Sequence, residues 1–174
     1  MASSLLGLAL ALSFQADPAS KGDACALPKA LSEALQARFG TSRVLKAADL
    51  FEDERALFQK EHKGACPGIS QGRFFGAKER PALALVLLDV EPKKNLRLVV
   101  ARPATSTWIF FEADELDPGS TPVAGSASPG TFTDLSKSIT RTTATEVVTL
   151  AGYETWQRVY VWNGRGFEKL ELTR

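Results

Sequence analysis

The side chains best suited to covalent chemistry are one serine in a glycine-rich pentapeptide and the only histidine. The G-x-S-x-G pattern, in which a hydrolase presents its nucleophile on a sharp turn between strand and helix, is matched by Gly68-Ile69-Ser70-Gln71-Gly72. His62 precedes Ser70 instead of following it, and a predicted helix comes before the motif with strands after it. We predict no catalytic residue, and a small hydrolase using Ser70 and His62 is kept as an alternative.

Metal and cofactor chemistry also lacks a matching pattern. His62 alone cannot build a common zinc site. The acidic run from Glu112 to Asp117 offers oxygen ligands, but it lacks the alternating spacing and turn glycine of a calcium loop. No phosphate loop or dinucleotide fingerprint is present in the sequence. We therefore predict no metal site and no cofactor.

Aromatic side chains on the predicted strands are candidates for binding. Strand aromatics either pack in a core or stand exposed for recognition, and the sequence leaves both interpretations open. The five candidate binding residues are Trp108, Tyr153, Trp156, Tyr160 and Trp162.

The N-terminal segment resembles a signal peptide. Residues 1–16 carry no charge, and the apolar run Leu5–Phe14 has the length of a signal-peptide core and is too short for a membrane span. We predict cleavage after Ala16 or as late as Ala19, a periplasmic or secreted protein, and no permanent membrane span. The alternative is a buried N-terminal helix of a cytosolic protein.

An exported chain with two cysteines favours a disulfide, and Cys25 and Cys66 are the only pair. Apolar spacing predicts one helix over Pro28–Phe39 and a second over Leu50–Lys63. Packed as an antiparallel pair, these helices would bring the two cysteines within bonding range. The alternative is two free thiols.

From residue 68 onward the pattern changes to alternating or continuously apolar runs, which indicates strands. Residues 17–174 are predicted to form a single α+β domain, with the two helices packed on a mostly antiparallel sheet of about six strands. The predicted strands are Ala82–Val90, Leu96–Arg102, Thr107–Glu112, Thr145–Ala151, Gln157–Trp162 and Phe167–Thr173.

The register of the last hairpin follows from its cross-strand pairs. A two-residue turn would set Arg158 against Lys169, which is a like-charge pair. A four-residue loop over 163–166 places apolar residues against apolar residues and a base against an acid. We predict this loop, with the pairs Trp162 and Phe167, Val159 and Leu170, and Arg158 and Glu171.

The segment 114–136 is rich in Pro, Gly and Ser and is predicted to be a long loop. Loops of that length are often functional or mobile. The alternative is a solvated excursion with one short strand near Thr121–Ala124.

The overall charge excludes one class of partner. The chain has 21 basic and 20 acidic residues, whereas a nucleic-acid-binding protein would be expected to concentrate basic residues on one face. We predict no nucleic-acid partner.

One local resemblance supplements these patterns. Pro67–Gly76, followed by the apolar run Ala82–Leu87, resembles a single degenerate FG-GAP or VCBS-type repeat, in which a glycine-rich turn introduces an apolar strand. The calcium-binding aspartates of that family are not matched, because Arg73, Phe75 and Ala77 occupy the corresponding stretch. The layout is also similar to that of small exported bacterial proteins with a helical start and a sheet-forming end, which implies an envelope location.

The function that we expect is an exported, non-catalytic binding or interaction module, either inhibitor-like or envelope-associated. Its partner would be a protein or a glycan of the cell envelope. Besides the hydrolase, a purely structural accessory domain is the other alternative.

Overall fold

The computed structural model describes residues 23–90, 95–117, 121–152 and 156–173. The predicted signal peptide, residues 1–16 with cleavage as late as residue 19, lies outside this part of the chain. The described part contains two α-helices, one short 3-10 helix at Ala47–Asp49 and eleven strands. In chain order they are α1 (Lys29–Phe39), β1 (Arg43–Val44), α2 (Glu52–Glu61), β2 (Ile69–Gly72), β3 (Ala82–Leu88), β4 (Leu96–Pro103), β5 (Trp108–Leu116), β6 (Val123–Ala127), β7 (Gly130–Asp134), β8 (Ile139–Thr143), β9 (Val147–Gly152), β10 (Trp156–Trp162) and β11 (Phe167–Thr173).

The predicted fold class is wrong. Strands make up 46% of the described residues and helices 17%, so the protein is mostly β and not an α+β domain with six strands. Its strands form three antiparallel sheets of five, four and two strands. The six predicted strands are all present, and the five additional strands are short or polar segments that lack a strong apolar pattern.

The first sheet is built around β3. The strand order is β1-β3-β4-β5, and β2 pairs with β3 beside β1. One face of β3, with Leu85 and Leu87, packs against Leu31 and Leu35 of α1. The other face, including Val86, points into the main core. This two-sided burial explains why β3 is apolar on both faces.

The second sheet has the order β11-β10-β9-β6. Its last hairpin has the predicted register, with Arg158 opposite Glu171 and Trp162 opposite Phe167. The loop closes through a 3.0 Å hydrogen bond from the Asn163 amide to the Gly166 carbonyl. The four-residue loop is therefore confirmed.

The main core lies between the two large sheets. Fully buried residues there include Leu98 and Val100 of the first sheet and Leu150 and Tyr160 of the second. The hairpin of β7 and β8 covers the opposite face of the second sheet, where Phe132 packs against a separate cluster made of Val147, Val159, Val161 and Leu170. The layers are thus helix, sheet, sheet and hairpin.

The predicted long loop at 114–136 is also wrong. Strand β5 continues to Leu116, and β6 and β7 occupy much of the remaining segment. Residues 118–120 lie outside the described chain. The strands here are rich in Gly, Ser and Thr and are stabilised by pairing, since β6 joins β9 and β7 joins β8.

The predicted disulfide is confirmed. Cys25 and Cys66 are bonded, with their Cα atoms 5.0 Å apart. The predicted antiparallel packing of the two helices is wrong, because α1 buries Leu31 in the cluster beneath the first sheet, whereas α2 buries Phe58 in the main core on the other face of that sheet. Within the described residues, no helix is both long enough and apolar enough to span a membrane.

Asp134 is the one buried charged residue identified in the described core, with 0% of its surface exposed. Its carboxylate accepts hydrogen bonds from the Ser136 hydroxyl (2.6 Å), from the Ser136 and Lys137 amides (2.7 and 2.9 Å) and from the Glu171 amide (3.3 Å). The Ser136 hydroxyl and these amides lower the pKa of Asp134 from 3.8 to about 2. The carboxylate therefore joins the β7–β8 turn to β11.

We expect Asp134→Asn to lower the thermal midpoint at neutral pH, because the amide cannot satisfy all four donors. The folded pKa lies below the ordinary value of 3.8, so the ionised group stabilises the fold fully above that pH and loses its effect as the pH falls toward 2. The gap between wild type and variant should shrink over that range. Thermal denaturation followed by circular dichroism measures it, with the exposed Asp53→Asn as control. A gap that does not vary with pH would contradict the prediction.

Candidate binding surface

The structure gives the G-x-S-x-G pentapeptide a packing role. Ser70 lies inside β2, opposite Ala84 of β3, and not on a turn between a strand and a helix. A Cβ atom on Gly68 would lie 2.5 Å from the backbone oxygen of Leu45, and one on Gly72 would lie 2.5 Å from the ring of Phe74. Both positions therefore favour glycine, because a neighbouring group lies where a side chain would begin.

His62 and Ser70 are not joined. His62 is the C-terminal capping residue of α2, and its ring centroid lies 5.1 Å from that of Phe58. Among the described residues, no hydrogen bond links His62 to Ser70, and no group of three or more His, Cys, Asp or Glu residues is arranged to hold a metal ion. The two residues therefore do not form a nucleophile and base pair in this geometry.

The acidic run is split between different partners. Glu112 pairs with Arg38 (3.7 Å) and Arg97 (3.6 Å), whereas Asp114 faces the interior of the sandwich. There Asp114 accepts a 2.8 Å hydrogen bond from the Tyr160 hydroxyl and lies 3.2 Å from Lys169 Nζ. Asp114 thus links the first sheet to the second, whereas Glu112 links the first sheet to α1.

The predicted binding aromatics have different environments. Tyr160 is fully buried in the main core, where burial and then Asp114 raise the pKa of its phenol, so it is not an exposed binding residue. Trp108 is half-buried against the cluster below α1. Trp156 is half-buried at the main core, and the Arg158 guanidinium lies 4.7 Å from its ring centroid. Tyr153 lies outside the described residues.

Trp162 belongs to a group of four rings that we call the aromatic cluster: Phe75, Phe111, Trp162 and Phe167. Phe75 is its centre, with centroids 4.8 Å from Trp162, 5.0 Å from Phe111 and 5.5 Å from Phe167. Most of the ring pairs meet edge to face. All four side chains are only partly buried, so the cluster reaches the surface.

Three separate parts of the chain position these rings. Phe111 lies on β5 of the first sheet, and the β10–β11 hairpin sets Trp162 directly opposite Phe167 in the second. Phe75 comes from the connection between β2 and β3. The cluster thus lies where the two sheets and one connection meet.

Arg102 completes the cluster. Its guanidinium carbon lies 5.0 Å from the Phe75 centroid and 5.7 Å from that of Phe111, within the range of cation–π attraction. Among the described residues, no carboxylate lies within 4 Å of its nitrogens. The guanidinium can therefore still bind an anion.

Sequence reasoning found only one member of this surface. Trp162 was a candidate, while Phe75, Phe111 and Phe167 were not singled out for binding. One signal was present, because the predicted hairpin register already placed Trp162 against Phe167. Two aromatic rings that face each other beside a turn indicate the start of an aromatic surface, which rings from other segments can join.

Comparisons of the chain with models of known families, with curated proteins and with solved structures find no match. The resemblance of Pro67–Gly76 to an FG-GAP or VCBS-type repeat therefore stays a prediction.

Proposed function

We propose that the protein is an exported, non-catalytic interaction module that binds its partner through the aromatic cluster and Arg102. The observation that carries this proposal is the group of four partly exposed rings with an arginine over two of them. Tryptophan and arginine are enriched among the residues that dominate binding energies, because both present large surfaces with a polar end.

The surface cavities offer little support for a catalytic alternative. Of two surface cavities in the described part of the chain, one has a volume of about 400 Å³ and lies between α1 and β1, and neither is lined by Ser70 or His62. Three of the polar side chains that line the cavity between α1 and β1 are already engaged, since Ser42 donates to Asp89, and Arg43 and Lys46 pair with Asp49 and Asp23. Groups held in this way are poorly placed to accept a substrate.

Export is supported by the disulfide and by the uncharged apolar leader. In the periplasm or outside the cell, the partner would be an envelope protein or a glycan. An inhibitor-like module and an envelope-associated one would both use the same surface.

Phe75→Ser tests the proposal directly, because residue 75 lies in a connection outside the strands and its ring is the centre of the aromatic cluster. With the oxidised protein as bait for envelope extract, we expect partner recovery to fall at least about tenfold, as for the loss of a central binding residue. Phe51→Ser is the matched control, since Phe51 is a 57% exposed phenylalanine outside the cluster. Circular dichroism checks that both variants remain folded.

Equal recovery with wild type and Phe75→Ser would place the docking surface elsewhere and overturn the proposal. Recovery of no partner by the wild-type protein would favour the structural accessory domain or the hydrolase. Loss of recovery with the Phe51→Ser control alone would identify the start of α2 as the binding surface instead.

A further inference from the structure

The arginines of the described chain divide into two equal sets. Five have a carboxylate within 4 Å: Arg38, Arg43, Arg97, Arg141 and Arg158. Within the described residues, the other five have no such partner: Arg55, Arg73, Arg80, Arg102 and Arg165. The second set shows where positive charge is left uncompensated.

Four of these five arginines belong to the segments that build the aromatic cluster. Arg102 lies over its rings. Arg73 and Arg80 lie in the connection that carries Phe75, and Arg165 lies in the turn between Trp162 and Phe167. Arg73, Arg80 and Arg165 are exposed. Because the whole chain has a net charge of only +1, this is a local concentration of charge and not a property of the whole surface.

The same connection contains two further charged groups. Lys78 is exposed and adds a cation, whereas the exposed Glu79 adds a carboxylate. The Arg73 guanidinium donates to the Ala77 carbonyl at 2.7 Å, which holds the connection in a compact turn. The Glu146 carboxylate also lies beside this segment, because it accepts a hydrogen bond from the Arg73 amide. With four cations in the connection and the neighbouring turn against the two carboxylates of Glu79 and Glu146, the balance remains positive.

We propose that the aromatic cluster, together with Arg102 and the neighbouring arginines, binds an anionic glycan, specifically a polysaccharide that carries carboxylates on its sugar rings. The inference rests on the proposed function and names its partner class. An aromatic side chain provides a flat apolar surface against which the carbon-bound hydrogens of a sugar ring can pack. Guanidinium groups bind carboxylates through paired, charge-assisted hydrogen bonds.

The arrangement of the rings favours a glycan over a single-stranded nucleic acid. Successive bases need several separate ring faces on which to stack. Here the four rings contact one another, mostly edge to face, and Arg102 lies over Phe75 and Phe111, so they form one compact patch. We expect one sugar unit to pack on this patch, and the exposed arginines of the adjacent connection and turn to pair with carboxylates on neighbouring units.

Isothermal titration calorimetry of the oxidised protein with polygalacturonate fragments tests this inference. A neutral glucan of similar length is the uncharged control ligand. We expect the wild-type protein to bind polygalacturonate, with affinity falling as salt is raised. We expect Arg102→Gln to weaken binding about tenfold, because one charge-assisted pair is lost. Arg38→Gln is the control, since it makes the same charge change at an arginine 6.0 Å from the Phe39 ring centroid, on α1.

The outcomes separate this inference from the proposed function. If the protein bound the neutral glucan with the same affinity as polygalacturonate, the inference of an anionic partner would be wrong, whereas the proposed binding function would stand. If polyglutamate or oligothymidylate bound more tightly than polygalacturonate and this binding depended on Arg102, the inference of a glycan partner would be wrong. No binding to polygalacturonate would overturn the inference, while partner recovery that depends on Phe75 would preserve the proposed function. If the protein neither binds polygalacturonate nor recovers a partner in a Phe75-dependent way, both the inference and the proposed function would be overturned.

Discussion

Loss of the Cys25–Cys66 bond is expected to lower the free energy of unfolding by about 4 kcal/mol. The two cysteines are 41 positions apart, and the bond restricts the unfolded chain by closing this loop. In the folded protein it joins the segment before α1 to the segment before β2. Guanidinium denaturation of the wild type and of a Cys25→Ser, Cys66→Ser double variant measures the difference.

A matched control for this experiment is Ala24→Ser with Ala65→Ser. It introduces the same hydroxyls at exposed neighbouring positions and leaves the bond intact. The mass of the wild-type protein should also stay unchanged on alkylation unless a reductant is added. A loss of less than about 1 kcal/mol in the double cysteine variant would show that the bond adds little to stability.

The second large effect is expected at Gly68. Gly68→Ala should destabilise the fold by about 1–3 kcal/mol, the usual cost of forcing an extra methyl group into a packed site. The added Cβ would lie 2.5 Å from the Leu45 backbone oxygen and 2.9 Å from its nitrogen. The backbone cannot easily move away, because the Leu45 amide donates to the Val86 carbonyl and the Val86 amide to the Gly68 carbonyl, both at 2.9 Å.

Ser70→Ala is the matched control for this substitution. It changes the central residue of the same pentapeptide without adding atoms, and we expect the free energy of unfolding to change by less than about 0.5 kcal/mol. Urea denaturation of the two variants gives both values. The packing explanation would be contradicted if Gly68→Ala were neutral. An esterase activity lost in a fully folded Ser70→Ala variant would restore the catalytic interpretation of the motif.

The strands with strong apolar patterns could be predicted from the sequence, and the polar ones could not. Apolar segments such as β3 and β9 show a strand pattern in their own sequence, because most of their side chains are aliphatic and buried. Strand β6, with the sequence Val-Ala-Gly-Ser-Ala, has little pattern of its own and is defined by pairing with β9. The fold class was therefore misjudged because partner strands, not local sequence, determine these elements.

The binding surface was harder to predict for a related reason. Trp156, Tyr160 and Trp162 alternate along β10 and share one face, but the sequence does not show which part of that face is covered. Tyr160 is buried by packing in the main core and donates a hydrogen bond to Asp114, whereas Trp162 lies near the turn and stays partly exposed. Phe75 and Phe111 join Trp162 only through tertiary packing, so no local motif connects them.

The pairing of β1 and β2 with β3 affects the tendency of the reduced protein to aggregate. These two short strands lie end to end along one edge of β3, at Leu87–Leu88 and at Ala82–Leu85. The disulfide closes the loop that contains β1 and ends just before β2. Without the bond, this edge of β3 opens more readily, and an apolar strand with an open edge is a template for intermolecular pairing. We therefore expect the reduced protein to aggregate more readily than the oxidised one, in addition to being less stable.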